Sequence, residues 1–303
     1  MEKLVTIVIP TYARPTNLCR AIDSVLSQDY KNVEIIVVDD NGIATEYQKL
    51  TEQILSKYIA NKKITYLVHN INMNGSAARN TGLANSNGEY IAFLDDDDSY
   101  SPKFISECMK VLEASPHEIG AVYCNSTWVL QNGTTISKNN TQSGNIISQI
   151  LLRKCTCSTS TILFRKSVCE ALGGFDTQFR RHQDWEFLVR FFRNYRIKLV
   201  NQNLLLKYTT ITPGSNVVDA MKMYEIKKLF FETYKSDIDA LPESNEIYSL
   251  HWKEVAFLLS RQGYWSRAYN TLRLANNYST LSMKDYVTFT KKLILSIVYR
   301  KQN

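Results

Sequence analysis

The residues best equipped for chemistry are four consecutive aspartates, Asp95, Asp96, Asp97 and Asp98, which follow the apolar run Tyr90 to Leu94. Like charges packed this closely repel one another unless a cation neutralises them. A second acidic pair, Asp39-Asp40, closes another strand-like stretch, Val33 to Val38. Carboxylate oxygens presented singly or in pairs suit Mg2+ or Mn2+ bridging a diphosphate. The plain alternative is a solvated acidic turn. It is disfavoured because the strand before Asp95 is fully apolar and the second acidic pair leaves a neighbouring strand at the same end.

Both clusters need a frame, and residues 1–215 supply one by alternating strand-like and helix-like patterns. Val5 to Ile9 is a continuous β-branched run of the kind buried on both faces of a sheet. Leu18, Ala21, Ile22, Val25 and Leu26 follow at helical spacing, then the strand Val33 to Val38. A second helix sets Tyr47, Leu50, Ile54 and Tyr58 on one side, before the strand Ile64 to Val68 and the helix Ser76 to Ala84. After the strand Tyr90 to Leu94, Ser101-Pro102 is expected to cap a helix carrying Phe104, Ile105, Cys108 and Leu112. Such alternation implies right-handed crossovers and a mainly parallel sheet. Ligands of these sheets sit beyond the carboxyl ends of the strands, where both acidic clusters fall.

Beyond residue 120 the pattern changes. Val122 to Leu130 and Thr134 to Ile136 read as a hairpin turning at Asn132-Gly133. Ser137 to Asn145 is polar and reads as a mobile loop. Thr159 to Phe164 is expected as a strand, and Lys166 to Leu172 as a short helix stopped by Gly173-Gly174. Asp184 to Phe192 is helical, with Trp185, Leu188, Val189 and Phe192 inward. After Pro213-Gly214 the chain reads as helical to its end, with a hairpin of Ile247 to Gln262 and Ser266 to Asn276 joined at Gly263-Tyr264. A domain boundary is placed near residue 215.

Composition narrows the class. A hydrophobic fraction of 44% is ordinary for a globular chain. No apolar stretch approaches the roughly 20 residues that span a bilayer. Met1-Glu2-Lys3 leads straight into a strand, with no secretory leader, so a cytoplasmic location is expected. The six cysteines lack metal-site spacing and read as reduced core thiols. The net charge of +7 is not accompanied by a nucleic-acid-binding motif, so no nucleic-acid partner is expected.

Six motifs in order give the sequence a family. They are Thr6-Ile7-Val8-Ile9-Pro10-Thr11-Tyr12, Ser24-Val25-Leu26-Ser27-Gln28, Ile36-Val37-Val38-Asp39-Asp40-Asn41-Gly42, Gly75-Ser76-Ala77-Ala78-Arg79-Asn80-Thr81-Gly82, Ala92-Phe93-Leu94-Asp95-Asp96-Asp97-Asp98 and Gly173-Gly174-Phe175-Asp176. Residues 3 to about 215 resemble the family-two inverting glycosyltransferases of GT-A fold, an α/β fold with a Rossmann-like sheet. The resemblance implies a nucleotide-binding half over 1–98, an acceptor-binding half over 99–215 and a helical extension over 216–303.

By resemblance, Pro10, Thr11, Tyr12 and Asp40 line a uracil pocket, with Asp40 accepting from the ring N–H. Arg14, Arg79, Asp95 and Asp96 approach the nucleotide sugar, with Asp95 near the ribose, and Asp97 holds the Mn2+ or Mg2+. For Arg79 the plain alternative is a helix-surface ion pair. The family's general base sits in a Glu-Asp pair, which here reads Gln183-Asp184. Asp184 is therefore the expected base, with an N-cap as its plain alternative. Many relatives also carry a metal-binding histidine in the segment matching Lys207 to Ser215. None is present here, and His182 is a candidate substitute or, with Trp185, an acceptor contact. The implied partners are a UDP-sugar and a glycan or lipid-linked glycan of bacterial capsule type.

One feature stands apart from the resemblance. Lys284 to Arg300 is a basic amphipathic helix with Val287, Leu293, Ile294, Ile297 and Val298 among Lys284, Lys291, Lys292, Arg300 and Lys301. Contact with the inner face of the plasma membrane through 284–301, packing on the catalytic domain and a homodimer interface all remain open. Two rival readings of the whole are a sugar nucleotidyltransferase and a non-catalytic sugar-nucleotide-binding protein. The first wants a Gly-rich phosphate loop after the opening strand. Pro10-Thr11-Tyr12-Ala13-Arg14-Pro15 is not one.

Overall fold

The structure is a computed structural model that describes residues 2–209 and 218–300, with side chains as far as residue 297. The chain divides into two units, one of residues 1–150 and 155–210, the other of 151–154 and 211–303. The boundary expected near residue 215, and most of the histidine-free segment up to Ser215, lie outside the described residues.

The first unit runs β1 (Val5–Thr11), α1 (Pro15–Leu26), β2 (Val33–Asp39), α2 (Glu46–Ala60), β3 (Thr65–Val68), α3 (Gly75–Ala84), β4 (Tyr90–Phe93), β5 (Asp98–Tyr100), α4 (Phe104–Glu113), β6 (Ile119–Val129) and β7 (Thr135–Lys138). It continues with α5 (Ile147–Leu151), β8 (Ile162–Arg165), α6 (Lys166–Ala171), α7 (Gln183–Asn194) and β9 (Arg196–Tyr208). The strands form one sheet ordered β3-β2-β1-β4-β8-β6-β9-β5, with β7 beside β6. Pairing is parallel from β3 to β4. It turns antiparallel at β8 and again between β9 and β5, while β6 and β9 run parallel. The parallel expectation therefore describes the first half, and the second half is mixed.

Continuous apolar strands sit where they must. Val5, Ile7, Val8 and Ile9 of β1 and Ile35 to Val38 of β2 are buried, because helices cover both sheet faces. The α3 helix lies so close to β1 that a Cβ on Gly82 would meet Val8 Cγ1 at 2.2 Å. Only glycine permits that approach.

Four local expectations are corrected. In α2 the buried residues are Gln48, Thr51 and Leu55, whereas Tyr47 and Leu50 are exposed. The helix is rotated because Gln48 and Thr51 satisfy their polar groups locally, Thr51 Oγ1 donating to the Tyr47 carbonyl. The α4 helix begins at Phe104 after a turn closed by Phe104 N–H to the Ser101 carbonyl, so Ser101-Pro102 precedes the cap residue Lys103. Thr159–Thr161 is a 3-10 turn rather than the start of β8. Trp185 is only partly buried, and Glu186, Phe187 and Phe191 join the inward face of α7. Of the stretch read as a loop over 137–145, Ser137 and Lys138 belong to β7, and the rest is tied down at Asn140, whose N–H donates to Asn125 Oδ1. All six cysteines are free thiols.

The second unit contains α8 (Ala220–Thr233), α9 (Lys235–Asp239), α10 (Ser244–Arg261), α11 (Trp265–Tyr278) and α12 (Met283–Arg300). Asp219 caps α8 by accepting from Lys222 N–H. The expected hairpin is α10 and α11, turning at Gly263, whose φ of 83° suits a residue without a Cβ. Within this unit the buried Lys227 amine meets His251 Nδ1 at 2.9 Å, and His251 Nε2 donates to the Leu151 carbonyl.

Candidate active site

The aspartate run is positioned by a topological jump. β4 ends at Phe93 in the middle of the sheet, and β5 begins at Asp98 on its far edge. Asp95, Asp96 and Asp97 therefore cross the strand ends. One oxygen from each of Asp95, Asp97 and Asp98 lies within 4.8 Å of the others. Asp98 sits directly across the β5–β9 ladder from Lys207, whose Nζ approaches its Oδ2 at 3.2 Å. The other oxygen of Asp98 is buried without a hydrogen-bond partner among the described residues. Burial, with Asp95 and Asp97 nearby, pushes the Asp98 carboxyl up to about 7, against the pull of Lys207. An under-satisfied buried oxygen among three carboxylates is the donor set a hard divalent cation takes.

Asp97, expected as the metal ligand, is in this group. Its carboxylate also accepts from Arg14 at 2.7 Å, and its carbonyl from Arg20 at 3.0 Å. Asp96 is not. It is buried and accepts from Thr11 Oγ1 at 2.7 Å, and burial lifts its carboxyl to about 7. Thr11 and Asp96 are thus occupied with each other, and they brace the ends of β1 and β4. Beside them, Tyr12 is 55% exposed and half-buried Arg14 lies against the run, so Tyr12 of the first motif and Arg14 just beyond it are accessible to a ligand.

A second set converges from α3 and α7. Arg79 is buried and donates to Asp95 Oδ1 at 2.6 Å and to Gln183 Oε1 at 2.7 Å. Its ion pair is therefore internal to the site, unlike the surface pair that was the alternative. Burial opposes ionisation of Asp95, but Arg79 and Lys207 outweigh it and hold the carboxyl below its ordinary range. Gln183, in place of the family's glutamate, gives Arg79 a neutral partner. Asp184 follows at the second position of α7, whose cap residue is His182, so Asp184 is not the N-cap. It accepts from the Thr159 hydroxyl at 3.2 Å and more weakly from its N–H at 3.4 Å. Burial and Asp95 raise its pKa, and Arg79 and Lys207 only partly offset this. A carboxylate with a raised pKa is the better proton acceptor near neutrality. His182 has a left-handed backbone (φ 60°) and stacks flat on Trp185 at 4.4 Å. The acidic group of three does not include it.

The expectation for Asp40 needs the largest revision. Its oxygens accept from His69 Nδ1, Asn72 Nδ2, Met73 N–H and Asn74 N–H at 2.7–2.8 Å. A carboxylate has about four acceptor sites. All are taken, so Asp40 shapes the loop between β3 and α3 and offers no open acceptor to a base. Asp39 is likewise buried, accepting from Tyr66 and Asn41.

The Gly-Gly-Phe-Asp motif acts through backbone. Asn80 clamps Phe175, donating to its carbonyl at 2.8 Å and accepting from its N–H at 2.7 Å. Glu186 accepts from Asp176 N–H and pairs with Arg190, which in turn donates to the Leu172 and Gly174 carbonyls. These bonds fix the turn that leads into α7 and Asp184.

Lys207, Arg20, Thr159, Ser160, His69 and Glu186 were missed from sequence. Asp98 opens β5 and Lys207 lies near the end of β9, and their pairing across the two strands is a long-range register. Arg20 lies over the Tyr208 ring at 3.7 Å. Ser160 Oγ accepts from Asp95 N–H at 3.2 Å.

The family model described as Glycosyl transferase family 2 matches residues 6–173. The chain belongs to that family. This family 2 chain is 25% identical over 249 residues to the amylovoran biosynthesis glycosyltransferase AmsB of Erwinia amylovora, covering 76% of the chain and 81% of AmsB. Its fold is shared with S. aureus TarS 1-349, solved in complex with UDP-GlcNAc, at a TM-score of 0.68 and 17% identity, covering 99% of this chain and 92% of that one. It is also shared with the mannosyltransferase PcManGT from Pyrobaculum calidifontis, solved with GDP-Man and Mn2+, at 0.59 and 16%, covering 100% and 83%. The GT-A expectation holds, and the nucleotidyltransferase alternative is set aside.

Proposed function

We propose that this glycosyltransferase moves a sugar from a UDP-sugar to a hydroxyl of a lipid-linked bacterial glycan at the inner face of the plasma membrane, inverting the anomeric centre. The observation that carries the reading is that the two cations paired with the aspartate run, Arg79 at Asp95 and Lys207 at Asp98, also act on Asp184. A proton acceptor and an anion-holding edge share one electrostatic site, as a displacement reaction needs.

Asp184 takes the proton of the acceptor hydroxyl as its oxygen forms the bond to the anomeric carbon. The bond from that carbon to the diphosphate oxygen breaks, and UDP leaves with the electron pair. Arg79 keeps Asp95 ionised, and the Thr159 hydroxyl orients Asp184. Asp97 and Asp98, with Asp95, would hold a divalent ion, Mn2+ or Mg2+. When bound, that ion supplies positive charge against the leaving diphosphate. Arg14 and Tyr12 are the accessible contacts for the nucleotide, and His182 with Trp185 form a flat surface suited to a sugar ring.

The test is UDP release from a panel of UDP-sugars with glycan and lipid-diphosphate-linked acceptors, with the product anomer read by NMR. Asp184→Asn should lower turnover by about 10²–10⁴-fold while UDP binding changes little. Retention of configuration, or equal loss of binding and turnover, would overturn the proposed roles.

A further inference from the structure

The α12 helix has two apolar faces and a use within its unit for only one. On the inner face Phe289 and Ser296 are buried, Phe289 beside the Phe257 ring and Ser296 Oγ accepting from Trp265 Nε1 at 2.9 Å. Asp285 is the helix's one acid, and it pairs with Lys253 at 3.0 Å. The outer face carries Met283, Val287 and Ile294, exposed by 78%, 63% and 53%, with Leu295 and Tyr286 also exposed. Their spacing of four, seven and eleven residues keeps them in one stripe.

Charge decides what fits this stripe. Lys284 and Lys291 are seven residues apart, so they run along one edge of the exposed face, and neither pairs with an acid among the described residues. The face therefore offers apolar and cationic groups and no anionic one. A second copy is a poor occupant: an antiparallel two-fold pairing sets all four lysines along one rim, with no carboxylate to meet them. No helix among the described residues is long and apolar enough to cross a bilayer. A helix of this make-up lies in the interface, its apolar stripe among acyl chains and its lysines at the headgroups.

The geometry points to the outer face of α12 as a docking surface for an anionic lipid membrane. The inference deepens the reading of a lipid-linked acceptor and rests on it for its biological sense, but not for its test. The full chain is sedimented with phosphatidylcholine vesicles and with vesicles containing phosphatidylglycerol. Binding is expected only to the anionic vesicles and should weaken with salt. Lys284→Gln with Lys291→Gln should reduce the partition coefficient roughly thirtyfold. Val287→Asp with Ile294→Asp should reduce it at least about tenfold. Both pairs are exposed, so unchanged thermal melts and UDP binding serve as controls. Equal binding to neutral and anionic vesicles, or indifference to both double variants, would overturn the inference. So would a concentration-dependent dimer that Val287→Asp dissolves in a protein that ignores vesicles. Loss of UDP binding with vesicle binding intact would instead sink the proposed function and leave this surface standing.

Discussion

Two acidic strand ends leave the same edge of one sheet and reach opposite states. At the end of β2, Asp40 has all four acceptor sites filled by its own neighbourhood, three of them from Asn72, Met73 and Asn74 and one from His69. After β4, Asp95, Asp97 and Asp98 crowd together, and one Asp98 oxygen is buried with no donor among the described residues. The same residue type is a structural staple in one place and a reactive edge in the other. The difference comes from what the following chain can return. After β2 the sheet's next crossover brings a polar loop back over Asp40. After β4 the chain leaves for the far side of the sheet, and the carboxylates are met by Arg14, Arg79 and Lys207 from distant elements.

The comparison can be broken most directly at Asp97. Asp97→Asn should lower turnover by about 10²–10³-fold and abolish the manganese dependence of UDP binding, measured by calorimetry. Its melting temperature should stay near that of the parent, because an edge carboxylate among like charges stabilises little. An unchanged metal dependence would remove Asp97 from the cation site.

Asp40→Asn should do the reverse. Turning an acceptor oxygen into an N–H2 opposite one backbone and one side-chain donor leaves buried groups unpaired, at a cost of about 2 kcal/mol. For a unit of this size the thermal midpoint should fall by roughly 4–8 °C. If instead stability held and only UDP affinity fell, Asp40 would be a base contact after all.

The pH profile sharpens the contrast. Burial raises the Asp184 pKa, so its proton-accepting form is lost as pH falls through a value above the ordinary carboxylate range. The acid limb of kcat/KM should therefore lie higher than that of an exposed aspartate. Activity should be complete above the limb, and the limb should be absent from the residual rate of Asp184→Asn. The smallest effect is expected of Gln183→Glu. A second carboxylate on Arg79 would draw its charge from Asp95 and repel ionised Asp184, moving the acid limb upward with less than about a tenfold change in the plateau rate. A downward move would mean that Arg79 does not couple the two residues.

Element order, the apolar strands of the parallel half and the α10–α11 hairpin were legible along the chain, because periodicity and glycine positions act locally. The buried face of α2 was not, since Gln48 and Thr51 satisfy their polar groups inside the fold and so defeat a reading based on hydrophobicity. Trp185 failed for the complementary reason: it belongs to the helical stripe by spacing, but His182 holds it partly at the surface.

The local pattern was enough to place carboxylates at the carboxyl ends of parallel strands, since β-branched runs broken by aspartates allow little else. It determined too that Arg79 and Asp184 would open or line helices. Only the tertiary structure decided which carboxylates are spent and which are available. That outcome depends on donors supplied from far along the chain, Lys207 across the β5–β9 register, Arg79 from α3 and the loop from His69 to Asn74. Hydrogen bonding saturates, and no local pattern records whose donors arrive first.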